Sequence, residues 1–350
     1  MEDLIRGKKI LVTGGTGSLG QALTRQIIQY QPEVVRIFSR DEAKQFELQD
    51  EYSAYKNIRF LLGDIRDKER VGRAMEGIDI VFHLAALKHV PACEYNPFEA
   101  IKTNILGTQN IIDMAMIHNV ARVIYTSSDK AINPTNTMGA SKLLAERLIS
   151  AADYYKGKTK TIFTAVRFGN VMGSRGSVIP FFKKQVSRGG PVTVTIPEMS
   201  RFMMSIGEAV NLTLRAGQKS QGGEVFILKM PVIRLVDLAE VIIEEFANSC
   251  GYSPSDIAVK EIGLRPGEKM YEELMTLEEA KLAIEFDDMF AVRPAYVENK
   301  YEYREGWPAE RRTYGSQDIQ PLDKLQIREL LYREGLLERR KRCNGYKNRR

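Results

Sequence analysis

The run Lys9–Thr13 (KILVT) leads straight into residues 13–20, TGGTGSLG, and this junction restricts the chain to few folds. A short apolar, β-branched run of this kind is read as a buried strand. Gly14, Gly17 and Gly20 follow it, and residues 21–29 have a helical pattern. Glycine permits the tight turn and lets the backbone approach a pyrophosphate. The helix N-terminus adds N–H donors and the positive end of its dipole. A glycine motif alone is weak evidence. Here it sits at the first strand–helix junction of a longer alternation, which is the context it requires.

That alternation continues. Val34–Ser39 and Ile58–Leu62 read as the second and third strands, residues 78–84 (IDIVFHL) as the fourth, 120–127 as the fifth and 161–168 as the sixth. Helical patterns separate them, notably 99–118 and 139–152. Strands alternating with helices imply an α/β, Rossmann-like, doubly wound parallel sheet with right-handed crossovers.

The second half is less regular. Residues 180–188, 207–216 and 236–247 read as helices, 192–195 as a strand, and 322–338 as a closing helix. The expected organisation is a nucleotide-binding domain over 1–170, to which helices within about 205–247 return. Residues 171–204 and 248–295 would form a smaller substrate-binding lobe, and 296–350 a C-terminal extension.

Charge and cysteine usage exclude several classes. Of the net +6, seven positive charges lie in residues 339–350 (RRKRCNGYKNRR), so the remainder is close to neutral with one net negative charge. The basicity belongs to a tail, read as a solvated terminus, and no nucleic-acid partner is expected. A contact of that tail with an anionic surface is the alternative. No apolar run reaches the ~20 residues of a membrane span, and no signal peptide is evident. Cys93, Cys250 and Cys343 are scattered and odd in number, so neither a disulfide framework nor a metal site is expected. A cytoplasmic location fits.

The end of the second strand normally selects the dinucleotide. An acid there suits the ribose of NAD, whereas arginine suits the 2′-phosphate of NADP. This chain has Ser39-Arg40-Asp41, with Lys44 one turn beyond Arg40. Arg40 offers a planar fork to phosphate. The reading is NADP, with NAD kept open by Asp41. Asp64 and Ile65, after the third strand, fall where an adenine contact is expected.

After the fifth strand come Ser127-Ser128-Asp129-Lys130 and then Met138-Gly139-Ala140-Ser141-Lys142. Strand C-termini form the ligand edge of a parallel sheet. Asp129 and Lys130 should therefore lie beside the nicotinamide, with Lys142 reaching back to its ribose. Short-chain dehydrogenases carry Tyr-x-x-x-Lys at this place. Met138 stands where the tyrosine would be, and methionine has no proton to exchange.

With these residues go Ala85-Ala86-Leu87-Lys88-His89-Val90-Pro91, Glu94-Tyr95-Asn96-Pro97, Thr103-Asn104 and Phe168-Gly169-Asn170-Val171. Ser174-Arg175-Gly176-Ser177-Val178, Ser200-Arg201-Phe202 and Arg265-Pro266-Gly267-Glu268-Lys269 complete the set. Together they resemble the bacterial UDP-N-acetylglucosamine 4,6-dehydratases, extended short-chain dehydrogenase/reductases of capsule and flagellin glycan biosynthesis. Some of these also carry Met for Tyr. The resemblance covers about residues 8–275. Ser128 replaces the group's usual threonine and keeps the hydroxyl.

The resemblance implies an internal redox elimination. Sugar carbon 4 is oxidised, the proton on carbon 5 is lost, the carbon 6 hydroxyl leaves as water, and carbon 6 is reduced. NADP is regenerated and stays tightly bound. Lys130 would be the base at carbon 5 and Asp129 the acid at carbon 6. Lys130 would then need a lowered pKa and Asp129 a raised one. The carbon 4 hydroxyl proton would go to Asp129, Ser128 or water.

The cofactor would be held by Gly14, Thr16, Gly17, Ser18, Leu19 and Gly20, by Arg40, Lys44, Asp64 and Ile65, and by Ala85, Ala86, Lys88, Asn104 and Lys142. The UDP-sugar would be held by Lys88, Asn170, Ser177, Val178, Arg201, Arg265 and Glu268, although the charged ones could instead be structural ion pairs. His83 and His89 are read as packing residues. Inversion at carbon 5 is favoured over retention, and a homo-oligomer is expected. A 4-epimerase and a non-catalytic NADP-binding sensor are the rival readings.

Overall fold

The computed structural model describes residues 1–295 and 301–338. The basic tail at 339–350 lies outside the described residues. The six expected strands form: β1 (Lys9–Thr13), β2 (Val34–Ser39), β3 (Ile58–Leu62), β4 (Ile80–His83), β5 (Arg122–Thr126) and β6 (Ile162–Arg167). They lie side by side in the order β3-β2-β1-β4-β5-β6. All these pairs are parallel, with Lys9 opposite Val34 and Ile10 opposite Ile80. Both faces of the sheet are covered, which is why β1, β4 and β5 are nearly unbroken apolar runs. The fold is Rossmann-like α/β. The strand order reverses between β1 and β4, and ligands of such sheets bind in the crevice beyond that point.

The sheet does not end at β6. Val225–Leu228 adds a seventh parallel strand, and Met289–Val292, Ala283–Glu285 and Trp307–Pro308 extend the edge antiparallel. Residues 283–292 were expected in the smaller lobe and instead belong to the main sheet. Val225–Leu228 presents an open edge, and every residue of Met289–Val292 is buried against it.

A second difference concerns the helices expected to return. Ile206–Lys219 does so, packing on Ser18–Ile28 and on β5 and β6. Its entry is fixed by a capping box, in which Ser205 and Glu208 exchange side-chain-to-backbone hydrogen bonds. Leu235–Phe246 does not return. The preceding strand Val232–Arg234 pairs antiparallel with Ser200–Met204 and carries the chain away from the main sheet. Leu238, Val241 and Ile242 then join a second core with Phe182, Val186, Ile327 and Leu331. Each such buried side chain contributes about 1.5–3 kcal/mol, so this helix is anchored in the smaller lobe.

Candidate active site

The glycine turn has the shape a dinucleotide requires. Gly14 adopts φ +67°, and a Cβ there would stand 2.8 Å from the Ala85 nitrogen. A Cβ on Gly20 would meet the Gly14 oxygen and Gly15 Cα at 2.6 Å. The backbone is thus kept bare where the helix Ser18–Ile28 begins. The Thr16 hydroxyl pairs with Ser39 Oγ at 2.9 Å, joining the turn to the end of β2. Ser127 Oγ, at the end of β5, and Ser177 Oγ are buried without a hydrogen-bond partner. Such groups are costly unless a ligand or water meets them. These features fit a dinucleotide laid across the crevice.

Beyond β2, the Arg40 guanidinium is 3.5 Å from Asp64, whose carboxylate also receives Arg66 at 2.7 Å. Lys44 is paired with Asp41. Arg40 is more than half exposed and so remains accessible to an anion. Ile65 is buried beneath Gly107, which makes it a packing residue. Asn104 accepts from the Leu87 N–H at 2.7 Å and donates to Leu87 O and Ser141 Oγ. Its amide therefore clamps the chain after β4. Lys88 donates to the Arg175 carbonyl at 2.8 Å. Arg175 donates in turn to the Thr16 carbonyl, so a segment of the smaller lobe closes over the glycine turn.

At the end of β5 the turn Asp129–Ala131 brings an acid and an amine together. Lys130 Nζ lies 2.8 Å from Asp129 Oδ2, and Ser128 Oγ donates to Asp129 Oδ1 at 2.6 Å. Asp129 is buried. A third group completes the cluster. Glu272, also buried, is 3.4 Å from Lys130 Nζ and close enough to Asp129 for the two charges to act on each other. Asn170 donates to both Glu272 oxygens, at 3.1 and 2.9 Å. Arg201 Nε sits 3.3 Å from Glu272 Oε1, and the rest of its guanidinium is spent on backbone carbonyls of Ser200, Lys269 and Met270 and on Met199 Sδ. Asn170 and Arg201, expected on the substrate, are thus first of all the partners of Glu272.

This arrangement reverses the expected electrostatics. Burial alone would lower the proton affinity of Lys130, but the Asp129 and Glu272 carboxylates outweigh it and carry it up. Burial would raise Asp129, but the Lys130 ammonium and hydrogen bonds from Lys130 and Ser128 bring it down. Burial and the neighbouring Asp129 charge push Glu272 up. Lys142 takes no part in this cluster and is not among the main influences on Lys130. Its Nζ donates to the Thr126 carbonyl at 2.9 Å and stands over the Tyr125 ring. Burial lowers Lys142 to about 8.

Met138 is buried with Cys93 and Ala100 and contributes no proton. Ser177 and Val178 open the helix Val178–Val186. Arg265 is exposed, and Glu268 accepts from Thr195 Oγ1 at 3.4 Å. His83 links Thr13 and Thr108 at 2.7 and 3.0 Å, in keeping with a packing role. Glu272 and Arg175 were missed as site residues. The short strand Glu273–Met275 that follows Glu272 carries no alternation that could have marked it, since Leu274 and Met275 are both buried.

No group of three or more His, Cys, Asp and Glu among the described residues could hold a metal ion. No helix among them is long and apolar enough to cross a membrane.

The chain resembles known proteins over most of its length. It is 51% identical over 331 residues to an uncharacterised membrane protein of Methanocaldococcus jannaschii, covering 95% of this chain and 97% of that one. It is 41% identical over 294 residues to a UDP-N-acetylglucosamine 4,6-dehydratase (inverting) of Campylobacter jejuni, covering 83% and 84%. A UDP-glucose 4-epimerase of Rickettsia canadensis is 40% identical over 289 residues, covering 81% and 82%. The X-ray structure of Pen from Bacillus thuringiensis superposes with a TM-score of 0.89 at 50% identity, over 95% of this chain and 99% of that one. Residues 10–294 match the family described as polysaccharide biosynthesis protein. With its Rossmann-like sheet and its Asp-Lys pair at the end of β5, the chain belongs to that polysaccharide biosynthesis family of extended short-chain dehydrogenase/reductases.

Proposed function

We propose that the protein is an NADP-dependent 4,6-dehydratase of UDP-N-acetylglucosamine that inverts carbon 5. The observation carrying this reading is the pairing of the buried Asp129 with the part-exposed Lys130 at the rim of the nucleotide crevice. A 4-epimerase has no use for such a pair and would want a titratable group where Met138 stands. The name of the Campylobacter relative supports the same reading, and that of the Rickettsia relative favours the epimerase rival.

NADP⁺ held by the glycine turn would accept hydride from sugar carbon 4 and return it at carbon 6. Everything else falls to side chains of this chain. Arg40, with Lys44 nearby, offers positive charge to the 2′-phosphate. Lys142, fixed by Thr126 O, orients the nicotinamide ribose. Arg265, Glu268, Lys88, Ser177 and Val178 are assigned to the nucleoside diphosphate and sugar. Asp129 gives a proton to the departing carbon 6 hydroxyl, and Lys130 takes the proton from carbon 5. Met138 leaves Asp129, already a carboxylate, to receive the carbon 4 hydroxyl proton.

A cytoplasmic, self-assembling enzyme goes with this reading. Phe98, Leu106, Ile117 and Leu144 are apolar and exposed, as a contact between copies would require. Light scattering on the purified protein tests the assembly.

Incubation with UDP-N-acetylglucosamine tests the activity. A 4-keto-6-deoxy product, inverted at carbon 5 by proton NMR, is expected. UDP-N-acetylgalactosamine would establish the epimerase instead, and no conversion the sensor. Lys130→Ala should still bind both ligands yet fall by at least ~10²-fold in turnover; near-normal turnover would refute its role.

A further inference from the structure

The proposed chemistry leaves a difficulty that the geometry resolves. Lys130 must be a neutral amine to accept the carbon 5 proton, yet it lies between two carboxylates that hold it as an ammonium. Asp129 cannot relieve it, because Asp129 must itself be protonated to release water at carbon 6.

We infer that Glu272 takes the proton of Lys130 and so frees the amine to act as the base. This deepens the dehydratase reading and rests on it. Glu272 is 4% exposed and comes from the strand edge at 273–275, far along the chain from the Asp129 turn. Its Oε1 is 3.4 Å from Lys130 Nζ, close to hydrogen-bond reach. Asn170 fixes both of its oxygens, and the Phe202 N–H reaches one at 3.3 Å. The charged groups facing it are Asp129 and Lys130 from the turn after β5, Arg201 from Ser200–Met204, and Lys269 from its own loop. Burial raises its proton affinity above that of an ordinary glutamate, which suits it to accept.

The protons balance. At rest Lys130 is an ammonium, and Asp129 and Glu272 are carboxylates. Oxidation at carbon 4 sends the hydroxyl proton to Asp129. Lys130 passes its own proton to Glu272. The neutral amine then takes the carbon 5 proton while Asp129 protonates the carbon 6 hydroxyl, which leaves as water. After carbon 6 is reduced, inversion takes a proton from water on the opposite face of carbon 5. Glu272 returns one proton to solvent, and the cluster is reset. The sugar has lost one water and nothing else. Glu272 does not touch the sugar; it acts through Lys130.

The test is Glu272→Gln, which keeps the shape and cannot accept the proton, beside Glu272→Asp. Single turnovers with UDP-N-acetylglucosamine are followed at 340 nm for oxidation at carbon 4 and by NMR for product. In Glu272→Gln the absorbance should rise and persist, while product formation falls by at least ~10²-fold. What product forms should speed up with rising pH, as Lys130 loses its proton unaided. Glu272→Asp should recover part of the rate. Product at the wild-type rate in Glu272→Gln would overturn the inference. So would loss of the absorbance rise together with the product, since Glu272 would then only hold the site in shape. Failure of the wild type to form a keto sugar would instead remove the dehydratase reading itself.

Discussion

Replacing Arg167 by methionine should unfold the protein far more easily, because the side chain is a fully buried cation between two acids. Its Nε is 3.1 Å from Glu146, Nη1 reaches the Leu274 carbonyl at 2.7 Å and Glu279 at 3.1 Å, and Nη2 reaches Glu279 at 3.0 Å and also Glu146. Glu146 is 1% exposed and Glu279 8%. Methionine fills similar volume but leaves two carboxylates facing each other without a counter-charge. Breaking a buried ionic cluster in this way costs about 3–5 kcal/mol. At about 2 °C per kcal/mol for a chain of this length, the melting temperature should drop by roughly 6–10 °C. Thermal unfolding followed by circular dichroism reads this directly. The triple variant Arg167→Met/Glu146→Leu/Glu279→Gln removes the stranded charges, keeps the capping box of Thr276, and should regain most of the loss. A drop below about 3 °C in the single variant, or a triple variant no better than the single, would refute the reasoning.

Other outcomes follow from the same geometry. Arg40→Ala should weaken NADP binding while leaving NAD nearly unchanged, as measured by titration calorimetry; equal losses would remove the 2′-phosphate argument. Gly20→Ala forces a Cβ to 2.6 Å from the Gly14 oxygen and should abolish dinucleotide binding; retained affinity would show that the turn can give. His83 is held neutral by burial, with its pKa lowered from 6.5 to about 3. The unfolded chain therefore binds more protons between those values, and stability present above pH 6.5 is lost as the pH falls toward 3. The slope is ~1.4 kcal/mol per pH unit. His83→Gln should flatten that acid limb in denaturant titrations, and an unchanged slope would count against it.

The first half of the fold was legible because its strands are buried on both faces and bounded by turns. β1, β2 and β3 have the expected boundaries, and β4, β5 and β6 differ only by one or two residues at each end. The expected helix over 99–118 is interrupted by a wider, π-type turn at Ile101–Leu106, between Pro97–Ala100 and Gly107–Ile117. No apolar period encodes that turn; it coincides with Asn104 gripping Leu87 from a distance in the chain. The second half was less legible because strands such as Val192–Val194 and Val259–Glu261 are too short to carry a period and are defined by pairing with each other. In the site, Asp129 and Lys130 stood out by their place after β5. Glu272 did not, since its meaning comes from meeting them across more than a hundred residues. Without it the shifts of both partners in the resting site were expected in the opposite directions.

The edge strands Met289–Val292 and Ala283–Glu285 have a further consequence for how the protein comes into being. The nucleotide-binding sheet is finished by chain that is synthesised only after the helices Val178–Val186 and Leu235–Phe246 of the smaller lobe. A fragment ending near residue 170 would expose the flank of β6 as an unpaired ribbon, open to association with other chains. The emerging polypeptide must therefore keep that flank out of trouble for more than fifty residues before Val225–Leu228 covers it, and longer still before the antiparallel strands seal the edge. Such distant pairings slow folding. Neither lobe can be cut out as a self-sufficient unit along a single break in the sequence.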